Sequence, residues 1–152
     1  MTAEHELTSS WRRLLAHIWY AWGSSLCYWG VQTAEPWFFR AAIRSFDRVV
    51  RVWPQFALGW YRRGLVRSRE LGQHTAGIAD LSQAIALEPE WAEPYLQRGL
   101  IQRFHGDWQA AVDDLRRFLA LGGDVYWRME AERQIAALEA ERHEPQINAD
   151  ER

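Results

Sequence analysis

AEPYLQRGLIQRFHGDWQAAVDDLRRFLALGG, residues Ala92 to Gly123, reads as two short helices joined by a turn. Tyr95, Arg98, Gly99 and Gln102 fall on one face of the first helix, His105-Gly106-Asp107 makes the turn, and Ala111, Leu115, Phe118 and Leu119 line the second. Spacings of three and four residues put such side chains on one helical stripe. A helix pair with an apolar stripe on both members needs neighbours to bury it, so copies of the pair are expected elsewhere in the chain.

The copies are marked by glycine and proline. Gly30, Gly64 and Gly99 lie 34 and 35 residues apart, and Pro54, Pro89 and Gly123 lie 35 and 34 apart. One extra residue in the middle unit accounts for both sets, and the spacing places it in the turn Leu71-Gly72-Gln73-His74-Thr75. In this register Ala42, Gly77 and Ala111 are equivalent, as are Phe46, Leu81 and Leu115, and a large residue (Leu26, Trp60, Tyr95) stands four before each glycine. The small residue lets the second helix approach the first closely.

A large apolar residue, a glycine four later, small residues on the second helix and a closing proline together resemble the tetratricopeptide (TPR) repeat, most clearly in WYRRG, YLQRG and IADLSQAIALEP. The resemblance covers three units, 23–56, 57–91 and 92–123, and implies an all-α, right-handed α-solenoid of helix-turn-helix repeats. The first unit departs from the pattern at Pro36-Trp37-Phe38 and at Val49.

Solenoid ends need covering. A capping helix is expected over 124–142, started by Asp124 and bearing Trp127, Ala131, Ile135 and Leu138 on one face. A flanking helix is expected over 8–22, capped at Thr8, Ser9 or Ser10, with Trp11, Leu14, Leu15, Ile18 and Trp22 at helical spacing. Residues 8–142 then form a single domain, with 1–7 and 143–152 disordered.

Composition narrows the function classes. The net charge of -2 gives no bulk attraction to nucleic acid, and no nucleic-acid partner is expected. All basic residues are arginine, and between Pro36 and Glu70 eight of them face two acids, a local charge of +6. One cysteine excludes an internal disulfide and suits a reducing cytoplasm, and the acidic start MTAEHE is unlike an export signal. Leu14 to Ala34 lacks Asp, Glu, Lys and Arg, long enough to cross a bilayer; but its Trp and Tyr favour interfaces, and a packed helix pair is expected instead.

No constellation for catalysis emerges. Cys27 and His17 have no orienting carboxylate indicated nearby, His105 and Asp107 form half a metal site at most, and Asp113 and Asp114 diverge by about 100° on a helix. No P-loop occurs. The expectation is a non-enzymatic protein with neither metal nor cofactor.

The TPR resemblance implies a concave surface made by the first helix of each unit. Counting from the glycines, this groove comprises Tyr28 and Val31, then Tyr61, Arg62, Leu65 and Arg69, then Leu96, Leu100, Arg103 and Phe104. It suits a peptide or helical segment of another protein with apolar anchors and an acidic flank. The family's carboxylate clamp is not matched, since Cys27, Val31 and Glu93 stand at its positions. The function expected is an adaptor, scaffold or assembly factor in the cytoplasm. The alternative is a peripheral subunit or assembly factor of a membrane protein complex, attached through Trp11, Trp19, Trp22 and Trp29 and the stripe Arg40, Arg44 and Arg48. Self-association through exposed aromatic residues is a third route.

Overall fold

The computed structural model describes residues 2–105 and 107–143, with side chains from Ser10 to Glu141 apart from Gly106. Among them the chain is helical throughout: α1 (Thr2–Thr33), α2 (Pro36–Val52), α3 (Ala57–Leu65) with a π-turn (Val66–Glu70), α4 (His74–Leu87), α5 (Ala92–Phe104), α6 (Trp108–Ala120) and α7 (Val125–His143). Two compact units, Met1–Pro89 and Glu90–Arg152, divide it.

In the first unit the expected flanking helix 8–22 and the first helix of repeat one are a single helix. α1 already begins at Thr2, so the disorder expected over 1–7 is corrected for 2–7; Met1 lies outside the described residues. Nothing between Thr2 and Thr33 breaks a helix, there being no proline. The stop comes from Ala34, at a left-handed φ of 57°, and from Pro36, which opens α2 where its missing N–H costs nothing.

The first repeat is also phased differently from its sequence spacing. In α3–α4 a methyl group on Gly64 would lie 3.1 Å from Leu81, and in α5–α6 one on Gly99 would lie 3.1 Å from Leu115. The residue that meets the equivalent Phe46 is Gly23, at 2.8 Å, whereas Gly30 meets Phe39 nearer the turn. Gly23 therefore fills the role assigned to Gly30. Ala16, Ala57 and Ala92, each seven residues before its glycine, are correspondingly all buried. The α1–α2 hairpin extends almost three turns beyond that glycine, and the 34-residue spacing from Gly30 does not mark equivalent positions.

The extra residue of repeat two is likewise not in the loop. α3 and its π-turn end six residues after Gly64, while α5 ends five after Gly99, and three residues separate the helices in each case. A π-turn closes a ring one residue larger than an α-turn, so the helix absorbs the insertion. Gly72 completes the short turn at φ 65°.

In the second unit Asp107 caps α6, accepting from Ala110 N–H at 3.1 Å, and Gly122 closes it at φ 74°. Asp124 precedes α7 and accepts from Tyr126 N–H at 3.0 Å. Ala131 and Leu138 are buried with Leu115 and Phe118, Ile135 packs beside them, and Trp127 stays exposed. The helix reaches His143; the rest of the expected tail, 144–152, lies outside the described residues.

Candidate functional site

The residue before the packing glycine is arginine in repeats two and three, and both arginines point into their own hairpins. Arg63 donates from Nε and Nη2 to the two oxygens of Asp80 at 2.9 and 2.7 Å, and from Nη1 to Asp47 at 2.7 Å. Arg67 adds a bond to Asp80 at 2.9 Å. Arg98 makes the same forked pair with Asp114, both bonds 2.7 Å, and the Gln102 amide, turned to donate, reaches Asp114 at 2.9 Å. Burial pulls the Arg63 pKa down, but the hydrogen bonds and charges of Asp80 and Asp47 outweigh it and leave it raised. The hydrogen bond to Asp114 raises Arg98 against its burial. These layers hold hairpins together and are not available to a partner. Repeat one has Trp22, Leu26 and Ser45 at the corresponding places, and no ion pair can form there.

One open feature of the first unit is a cleft of about 160 Å³ on the side of α1 and α3. Val31, Arg62, Leu65 and Arg69, four of the expected groove residues, line it together with Cys27, Phe39, Phe46, Val66 and Glu70. Its floor is apolar and its exposed rim carries the two arginines and Glu70. The π-turn contributes Val66, Arg69 and Glu70, so the inserted residue reshapes this wall. Arg62 Nε donates to the Tyr20 hydroxyl at 3.3 Å, which ties the rim to α1. Burial pushes the Cys27 thiol up to about 11, with Arg62 pulling weakly the other way and Glu70 adding to the rise. The thiol is neutral at physiological pH and acts as part of the apolar floor.

The remaining groove residues lie elsewhere. Tyr28 is exposed outside the cleft lining, and Tyr61 is half-buried there too. Leu96 corrects the expectation: it is 1% exposed, packed in the second unit's core with Leu115 and Phe118, and cannot touch a partner. Leu100 packs against that core, Arg103 lies 3.9 Å from Glu141, and Phe104 is 78% exposed under the Arg103 guanidinium. Phe39 and Phe46 were missed as cleft residues because the Gly30 register put the wrong part of α1 opposite them. The pairing of Gly23 with Phe46 is the signal that would have found them.

The proposed contact residues of α1 and α2 are largely on the surface. Trp11, Trp22 and Trp29 are exposed, as are Arg40, Arg44 and Arg48. Trp19 is half-buried, with the Arg48 guanidinium 4.1 Å from its ring centre. Among the described residues no helix is long and apolar enough to cross a membrane, and no group of three His, Cys, Asp or Glu could hold a metal ion.

No protein-family model matches the chain. Over 99 residues it is 32% identical to tetratricopeptide repeat protein 36 of Danio rerio, covering 62% of this chain and 52% of the relative, so it spans about half that protein's length. The TPR domain of P58(IPK) superposes with a TM-score of 0.74 at 24% identity, over 84% of this chain and 33% of that one. The yeast Sti1 TPR2B domain, solved in complex with pHsp70, superposes with a TM-score of 0.71 at 15% identity, over 84% of this chain and 98% of that one. The all-α solenoid fold of these domains is the fold of this chain. In fold, and in sequence over 99 residues, the chain is similar to tetratricopeptide repeat proteins.

Proposed function

We propose that the chain is a non-enzymatic adaptor whose first unit holds a segment of a partner protein in the cleft between α1 and α3. The observation that carries this reading is the combination of an open apolar floor with Arg62 and Arg69 at the rim. At about 30 Å³ per water the cleft holds some five waters, room for one aliphatic or aromatic side chain. Burying such a side chain contributes about 1.5–3 kcal/mol, and acidic residues beside it meet the arginines. The solved complex of Sti1 with pHsp70 supports the class of ligand, because there the same fold holds a partner. A cleft of this size fixes one anchor, so the affinity expected is that of a transient contact.

The test is selection from a displayed peptide library against the full chain. Enrichment of one Leu, Met or Phe flanked by Asp or Glu, abolished by Leu65→Asp with unchanged circular dichroism, is expected. Enrichment that survives Leu65→Asp puts the site elsewhere, and enrichment of basic flanks contradicts the role given to the arginines.

A further inference from the structure

α1 carries a second surface that the cleft does not use. Trp11, Leu15, Ile18, Trp22, Ser25 and Trp29 recur at four and three residues, and all are exposed; Trp11, Trp22 and Trp29 are 63%, 58% and 54% accessible. Ser25 donates its hydroxyl back to the Ala21 carbonyl at 3.0 Å, which leaves the line apolar. At 1.5 Å per residue it runs for about 27 Å along one helix. Monomeric proteins rarely expose so long an apolar line without a partner.

The charge around this line selects the occupant. Between Ser10 and Trp53 the acids are Glu35, at the far end of the hairpin, and Asp47, which is bonded to Arg63 and Arg67. Against them stand Arg12, Arg13, Arg40, Arg44, Arg48 and Arg51, all exposed. Arg48 lies over Trp19, so the arginine stripe of α2 borders the tryptophan face of α1 directly. We propose that this face docks on an anionic lipid bilayer, with Trp11, Trp22 and Trp29 at the depth of the headgroup boundary and Arg40, Arg44 and Arg48 on the lipid phosphates. Tryptophan prefers that boundary to both water and hydrocarbon, and the aromatic-plus-basic composition is that of helices lying in the interface plane. A second copy of the same face brings arginine against arginine. Insertion across the bilayer is not required, and no described helix could achieve it.

The test is sedimentation of the full chain with protein-free vesicles, either pure phosphatidylcholine or containing 30% phosphatidylserine, with tryptophan emission as a second readout. Expected are partition onto the phosphatidylserine vesicles with a blue shift, release at about 0.5 M salt, and no partition onto phosphatidylcholine. Arg40→Gln/Arg44→Gln should weaken partition about thirtyfold, and Trp11→Ser/Trp22→Ser/Trp29→Ser should abolish it. Leu65→Asp, on the cleft, should bind vesicles as the wild type does, which separates this face from the peptide site. Failure to partition at low salt overturns the proposal. So does sedimentation with native membranes but not with protein-free vesicles, which points to a membrane protein, or a lipid-independent dimer that the tryptophan variant dissolves.

Discussion

The hairpins α3–α4 and α5–α6 close around the same glycine and the same arginine–aspartate fork, yet they differ in how much charge they bury. Asp80 answers both Arg63 and Arg67, with Asp47 as a third partner, whereas Asp114 answers Arg98 and the neutral Gln102. The crossings differ too. Ala111 keeps its methyl group, but at the matching Gly77 that space is taken by the Ser68 hydroxyl, 1.8 Å from where a methyl would sit. Ser68 belongs to the π-turn, which widens α3 toward α4. One inserted residue has thus changed the helix wall, the crossing and the neighbouring cleft, while α5–α6 keeps the plain repeat.

The largest expected difference concerns the aspartates. Asp80→Ala leaves the buried Arg63 and the half-buried Arg67 each short of a partner and should cost about 3–5 kcal/mol of unfolding free energy in urea titrations. Asp114→Ala leaves one, with Gln102 neutral beside it, and should cost about 2 kcal/mol. Equal losses would show that the second arginine adds nothing. Gly77→Ala comes next. It overpacks the crossing and should cost about 1–3 kcal/mol, while Ala111→Gly should cost about 1 kcal/mol through helix propensity alone. Relief of the Gly77→Ala loss by Ser68→Gly would tie the effect to the hydroxyl; no relief would assign it to the backbone contact with Gly64.

The smallest effect is on Cys27. Its folded pKa of about 11 lies above the ordinary 9.0, so the neutral thiol is the favoured form in the fold. The resulting contribution to stability is complete below pH 9 and is lost as pH rises through about 11. Alkylation by iodoacetamide should follow the same inflection, near 11, in the folded chain, and near 9 in urea. An inflection near 9 without urea would mean the thiol is not buried in the cleft floor.

Repeats two and three were legible because their apolar stripes, small residues and closing turns all repeat in one phase. The Arg63–Asp80 and Arg98–Asp114 forks were legible too, since Arg precedes the glycine in WYRRG and YLQRG and Asp precedes the buried leucine in IADL and VDDL. The adjacency of Asp113 and Asp114 hides the second fork, because two neighbouring acids also read as a diverging acid pair. The first repeat was misphased for a physical reason. Gly30 keeps the expected spacing and does pack, against Phe39, but helix pairing follows the level of residues across the hairpin, and a longer hairpin moves the equivalent glycine to Gly23. Spacing also cannot tell a loop insertion from a π-turn, since both add one residue. The burial of Leu96 depends on what packs over α5, which periodicity within α5 does not encode.

The central claim is that the first unit's cleft holds an apolar anchor with acidic flanks. Its most direct test is a calorimetric titration of such a peptide into the wild-type chain, Leu65→Asp and Arg62→Glu, at 50 and 300 mM salt. The expected result is loss of binding in Leu65→Asp, weakening of at least tenfold in Arg62→Glu, and a salt dependence that Arg62→Glu reduces. Equal affinity for all three proteins, or binding indifferent to salt, would contradict the account.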